Sequence, residues 1–370
     1  MPSLYDTSHG WESDLPGDQF PLPHSGAVAV FLEGGRNNGT FTVLDVTSGQ
    51  SLWKTEVKGP GSMSALSITV KGTDYLVASA SGSTGADVVS KGREVTTIDI
   101  FPARATGDSV KPAHHLELDG EGVVMNGGGG LLVALDDDVV MTVDPATGAT
   151  KTYELRKMKP PASECKLCIA STKAVAVTPR GPLLATDTRP RAHYWVPGAW
   201  SGGALTTDSE HKVFMASVGD SLVAQWHDEG AANDTWAVLD PATGKVRAKV
   251  DCAPARGGTA GDSRGASLSA NGRYLVRGHT VFDLEKGIGR CYEETDRDKP
   301  VHLTGVTDDG VAFGLGASTA AEADPRVTIN VATGQVKAGD YIVAPFDDYS
   351  GYGLFWDDPT NTMVAYPHAK

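Results

Sequence analysis

Apolar residues along this chain fall in short runs separated by polar, turn-forming stretches. The clearest runs are Ala27–Phe31, Tyr75–Ala78, Leu131–Leu135, Ala174–Val177, Val213–Ala216, Tyr274–Arg277 and Val311–Phe313. Short apolar runs bounded by Gly, Pro, Asn, Asp and Ser predict β-strands joined by turns. No stretch carries the period of a long amphipathic helix. The longest run, Leu131–Leu135, falls far short of the roughly 20 residues a membrane helix needs, so no direct membrane insertion is expected. Ser81–Gly92 and Ala317–Asp324 read as long loops on one face of the fold.

One phrase recurs between the strands: apolar residues, an Asp, then a Thr/Ser-Gly turn. It appears as Val43-Leu44-Asp45-Val46-Thr47-Ser48-Gly49, as Val143-Asp144-Pro145-Ala146-Thr147-Gly148 and as Val238-Leu239-Asp240-Pro241-Ala242-Thr243-Gly244-Lys245. Weaker copies end at Gly287 and Gly334. In such a hairpin the Asp accepts hydrogen bonds from the turn amides, and Gly supplies the positive φ that reverses the chain. Gly148 to Gly244 spans 96 residues, Gly244 to Gly287 43 and Gly287 to Gly334 47. Gly49 to Gly148 spans 99. Each long gap holds one degenerate turn, at Gly107 and at Gly198. The period is therefore about 46 residues, that of a four-stranded propeller blade.

The N-terminal Leu4-Tyr5-Asp6-Thr7-Ser8-His9-Gly10 repeats the Asp-to-Gly distance and completes one period with the C-terminus. The expected fold is all-β: one domain over residues 1–370, a closed β-propeller of four-stranded blades. Eight blades are expected, with seven as the alternative. The N-terminal strand would close the ring by pairing with Met363–Tyr366, which removes exposed sheet edges.

The phrase Asp-x-x-Thr-Gly-Lys resembles the PQQ-like propeller repeat of quinoprotein dehydrogenases and many non-catalytic relatives. In that family a Trp eight residues after the Asp docks between blades. Asp45, Ser48, Gly49 and Trp53 match this in full. Asp240, Thr243, Gly244 and Lys245 match with Ala248 in place of the Trp, and Asp144, Thr147 and Gly148 match with Thr152 there. The resemblance implies blade-docking roles for Asp45, Gly49, Trp53, Asp144, Gly148, Asp240 and Gly244. Quinoprotein dehydrogenases carry adjacent cysteines over the cofactor, and this chain has no Cys-Cys pair. The fold therefore carries over and the redox chemistry does not, so no cofactor is expected.

The formal net charge of −14 disfavours phosphate backbones, so no nucleic-acid partner is expected. The sequence opens on Met1-Pro2-Ser3-Leu4-Tyr5-Asp6, without the basic and apolar regions of a secretory signal. Two readings stay open: a cytoplasmic protein, or a mature chain whose signal or anchor has been removed. The four cysteines, Cys165, Cys168, Cys252 and Cys291, favour the second if they form two disulfides. The expected pairs are Cys165–Cys168 and Cys252–Cys291, the latter joining outer strands of neighbouring blades. Cys165-Lys166-Leu167-Cys168 also admits free thiols, a redox pair or half a zinc site. The Ala/Gly/Asp-rich composition resembles secreted or cell-surface domains of high-GC actinobacteria.

No catalytic residue and no metal site is expected. Gly219-Asp220-Ser221-Leu222 spells a string found in some esterases but lies between two strands without the later Asp-x-x-His. Gly261-Asp262-Ser263-Arg264-Gly265 matches a nucleophile elbow, yet a Pro- and Gly-rich stretch precedes it where a buried strand is required. The phosphate-loop likeness around Gly34 and Gly39-Thr40 lacks its Lys, and Gly127–Gly130 reads as a flexible turn. His193, Tyr194, Trp195, Trp200, Trp226 and His227 form an aromatic group that suits either an interaction surface or packing between blades. The expected function is non-catalytic recognition: a monomeric scaffold whose loops or channel bind a protein or small ligand. The alternative is an enzyme of quinoprotein or hydrolase type.

Overall fold

The computed structural model describes residues 1–370 except 36, 86–88, 90–91, 137, 159–171, 187–192, 202–213, 228–230, 254–265, 296–297, 318–323, 340, 358–361 and 370. The described strands group into eight antiparallel units of four. Blades 1 to 7 occupy 18–58, 63–119, 123–154, 172–201, 214–252, 267–291 and 301–338. Blade 8 takes three strands from the C-terminal 347–367 and its outermost strand, Trp11–Ser13, from the other end of the chain. Trp11, Glu12 and Ser13 pair with Ala365, Val364 and Met363, so the N-terminal strand closes the ring.

Five of the seven apolar runs are second strands of blades; Ala174–Val177 and the described part of Val213–Ala216 belong to first strands. Ala27–Val30 are buried on both faces, because a middle strand is covered by blades on either side. Outer strands instead alternate, as in Ser51–Lys58, where Trp53, Thr55 and Val57 point inward and the residues between them are exposed. The buried side chains form eight clusters, one between each pair of neighbouring blades. Leu22, Phe41 and Trp53 of blade 1 pack on Leu76 and Phe101 of blade 2. The last cluster joins Tyr349, Leu354 and Met363 of blade 8 to Val28, Val30 and Leu44 of blade 1. A core at every seam, the seam between the chain ends included, is what a closed ring requires.

The recurring Asp-to-Gly phrase is the turn between the third and outermost strands. The Asp45 carboxylate accepts the N–H groups of Thr47 and Ser48 at 3.0 and 2.9 Å, and Gly49 has φ 68°. Asp240 accepts Thr243 N at 2.8 Å, and Asn330 plays the same part for Thr333 at 2.9 Å. An outer-strand side chain of the preceding blade lies over this turn. Trp11 covers Gly49 and donates from Nε1 to Val46 O at 2.8 Å; Trp200 covers Gly244 and donates to Pro241 O at 3.0 Å. His114 covers Gly148, and Arg290 covers Gly334. Trp53 donates to Ala103 O at 3.0 Å and pairs with Gly107 of the degenerate blade 2 turn.

Between blades 5 and 6 the outer strands Val246–Cys252 and Ile288–Cys291 meet through one parallel pair, Lys249 with Ile288. Cys252 and Cys291 form a disulfide there, with Cα atoms 5.8 Å apart, inside the range a bridge requires. One expectation needs correction. Ser81–Thr84 do not start a loop: they extend the strand Thr73–Thr84, paired with the strand that begins at Arg93. The polar sequence is tolerated because Ser81 finds hydrogen-bond partners, bonding Thr96 Oγ1 at 2.9 Å and donating to Gly122 O at 2.8 Å.

Candidate functional site

First-to-second and third-to-outermost strand turns share one face of the disc. On that face blades 2 to 5 enclose a cavity of about 750 Å³, within the range of small-ligand sites. Lys71 and Gly72 form the blade 2 turn, both with positive φ (51° and 72°), the two-residue hairpin geometry that twists with its strands. In blade 4, Thr178 Oγ1 donates to Gly181 O at 2.8 Å and accepts Arg180 N at 3.2 Å, which fixes the Pro179-Arg180 corner. Asp144 and Asp240 hold the turns of blades 3 and 5. Ser221 begins the second strand of blade 5 after the Gly219-Asp220 turn.

Four cations border the cavity: Lys71, Lys151, Arg180 and Arg247. All four are exposed. Lys151 Nζ sits 5.1 Å above the Tyr153 ring, and Arg247 donates to Ser221 Oγ at 3.0 Å. Ser221, 1% exposed, in turn donates to Asp220 at 3.3 Å. The Ser221 hydroxyl accepts from a guanidinium, which does not deprotonate, and donates to the carboxylate beside it. The GDSL string is thus a β-hairpin turn with a serine that orients Arg247.

Gly127–Gly130 joins the first two strands of blade 3 and separates this cavity from the central channel. A Cβ on Gly128, which has φ 82°, would stand 2.7 Å from the Ser217 Cβ and 3.0 Å from Gly219 O. Only glycine fits that approach between blades 3 and 5. The channel mouth, about 440 Å³, is lined by inner-strand residues including Ser67, Asn126, Thr304 and Asp347. Burial, with the nearby charges of Asp348, Asp308 and Asp74, pushes the Asp347 carboxyl up to about 7. Beside it, Asp348 accepts the Tyr5 hydroxyl at 2.7 Å and bonds His368 Nε2 at 2.7 Å, tying both chain ends to the last blade.

The predicted aromatic group is divided among blade seams. Tyr194 and Trp226 lie in the core between blades 4 and 5, with Trp200 packed against it, and Trp195 lies between blades 3 and 4. His193 and His227 stand on strands of blades 4 and 5. Cys165, Cys168 and the Gly261–Gly265 string lie outside the described residues. Among the described residues no group of three His, Cys, Asp or Glu is placed to hold a metal ion, and no helix is long and apolar enough to cross a membrane. The four cavity cations were not singled out from the sequence. A signal was present: Lys151 and Arg247 each stand three residues after a turn glycine, and Lys71 and Arg180 lie in turns of the same face.

No family model matches this chain, and no curated protein matches it. Solved structures align over almost all of it. The β-propeller domain of Cps50 (Swd1) from Myceliophteria thermophila shares 10% identity at a TM-score of 0.46, covering 98% of this chain and 99% of that one. BamB from Moraxella catarrhalis shares 13% at 0.43, covering 97% and 96%. The exotype rhamnogalacturonan lyase YesX shares 11% at 0.43, covering 99% of this chain and 75% of that one. At such scores the fold assignment rests on the sheets and seams of the molecule itself.

Proposed function

We propose that this chain is a recognition propeller of the PQQ-like repeat type, without catalysis of its own, working as a monomer outside the cytoplasm. Its turn face holds a small ligand or a segment of a protein. The carrying observation is the cavity built by turns of four consecutive blades, each turn fixed by its own hydrogen bonds on a closed ring. Loops on a rigid scaffold are where binding sites concentrate. The Cys252–Cys291 bridge supports an oxidising compartment, since such a bond is rarely kept in the cytosol.

The test offers the purified chain a panel of model esters, and alcohols with added pyrroloquinoline quinone. The proposal expects no turnover above background, from the parent or from Ser221→Ala. Robust ester turnover that disappears in Ser221→Ala, or alcohol oxidation that requires the quinone, overturns it.

A further inference from the structure

We infer that the turn-face cavity is a site for a small, multiply charged organic anion, bearing two or more carboxylate or phosphate groups; this deepens the recognition reading and rests on it. The chain as a whole carries −14, so anions are repelled from most of its surface. Yet Lys71, Lys151, Arg180 and Arg247 come from blades 2, 3, 4 and 5 to border one cavity. None of the four forms an ion pair with a carboxylate of the described residues.

The carboxylates of the cavity are engaged locally. Asp144 accepts Ala146 N at 2.8 Å, Asp240 accepts both Thr243 N and its hydroxyl at 2.8 Å, and Asp220 accepts Ser221 Oγ. They secure turns, while the cations are left with free donors. Among the described residues the Arg180 side chain makes no hydrogen bond, and Arg247 spends one donor on Ser221, which leaves the rest of its fork for a ligand. A guanidinium fork matches carboxylate and phosphate oxygens in pairs. Charge on several sides of a cavity of about 750 Å³ suits a ligand with separated anionic groups better than a single small ion.

Isothermal titration of the full chain with citrate and, separately, with pyrophosphate tests this. Binding of at least one is expected, weakening with added salt as exposed charges are screened. Arg180→Gln and Arg247→Gln should each weaken it by about tenfold and Lys71→Gln by a few-fold, while Lys54→Gln on the blade 1 rim leaves it unchanged. Citrate alone binding assigns a carboxylate ligand, and pyrophosphate alone a phosphate. Circular dichroism verifies that each variant is folded. Two results overturn the inference: no heat from either probe, or binding that the arginine variants leave intact. If a neutral ligand or a peptide is instead held at the same face, the anion class falls and the recognition reading stands. If Ser221-dependent turnover appears while the anion still binds, the recognition reading falls and the anion site stands.

Discussion

At the scale of single residues, the ring is held by side chains that cross from one blade to the next turn. Trp200 lies over Gly244, whose Cβ, if it had one, would stand 2.6 Å from the indole. Trp200→Ala should cost about 2 kcal/mol through lost packing and a lost hydrogen bond, measured by denaturant unfolding. The sequence marked Trp53 for such a role through its distance from Asp45. It did not mark Trp11, His114 or Arg290, because these reach equivalent places from different distances along their strands and belong to different residue types; Trp200 entered only through the aromatic group, with packing between blades as one of its two readings. Glu293 gives a second, pH-dependent handle. It is 7% exposed, its Oε2 has no hydrogen-bond partner among the described residues, and burial with the charge of Asp234 pushes its carboxyl up to about 7. The folded chain therefore keeps a proton that the unfolded chain gives up at a lower pH. Stability conferred by that proton is full below about pH 4.5, falls as pH rises toward 7 and is level beyond. Asp347, also raised to about 7, adds a decline of the same sign. Glu293→Gln should flatten part of this slope, gaining on the order of 1–2 kcal/mol over the parent at pH 8 and almost nothing at pH 4. Melting curves across that range check it, and an unchanged slope would contradict it.

At the scale of elements, hairpin turns and apolar strands were legible and the ends of strands were not. The turns were legible because their chemistry is local: Asp or Asn at one end, Gly at the other, five residues apart inclusive. Middle strands were legible because cover on both faces makes them continuously apolar. The extension of Thr73–Thr84 through Ser81-Gly82-Ser83-Thr84 was not, since its stabilising partners, Thr96 and Gly122, are distant in sequence. The blade 5–6 seam joins sequence and structure most simply. Outer strands of separate blades meet there through a single residue pair, and the Cys252–Cys291 bridge spans 39 residues beside it. Replacing both cysteines by Ser should cost about 2–4 kcal/mol, read by denaturant unfolding of the oxidised parent against the variant. Mass spectrometry of the natively expressed chain without reductant should find this pair bonded. Two free, alkylatable thiols at these positions would contradict both the bridge and the placement outside the cytoplasm.

At the scale of the whole molecule, a 46-residue rhythm and matching ends were enough to predict a closed ring. The cavity was not predictable in the same way, because its four cations are spread from Lys71 to Arg247 and meet only when successive turns stack around the disc. Closure is the premise of everything built on that face: an open ring would let the blades splay and the turns lose their mutual positions. The N-terminal segment carries the closure. It supplies Trp11–Ser13 to blade 8, Trp11 to the blade 1 turn, and Tyr5 to the Asp348–His368 cluster and to a T-shaped contact with Phe355, ring centroids 5.0 Å apart. Thermal unfolding of the chain lacking Met1–Asp14, run beside the full chain, tests this most directly. The ring account predicts a melting temperature lower by at least about 5 °C, with a gain in aggregation from the exposed sheet edge. A truncated chain that melts with the parent and stays dispersed would contradict it.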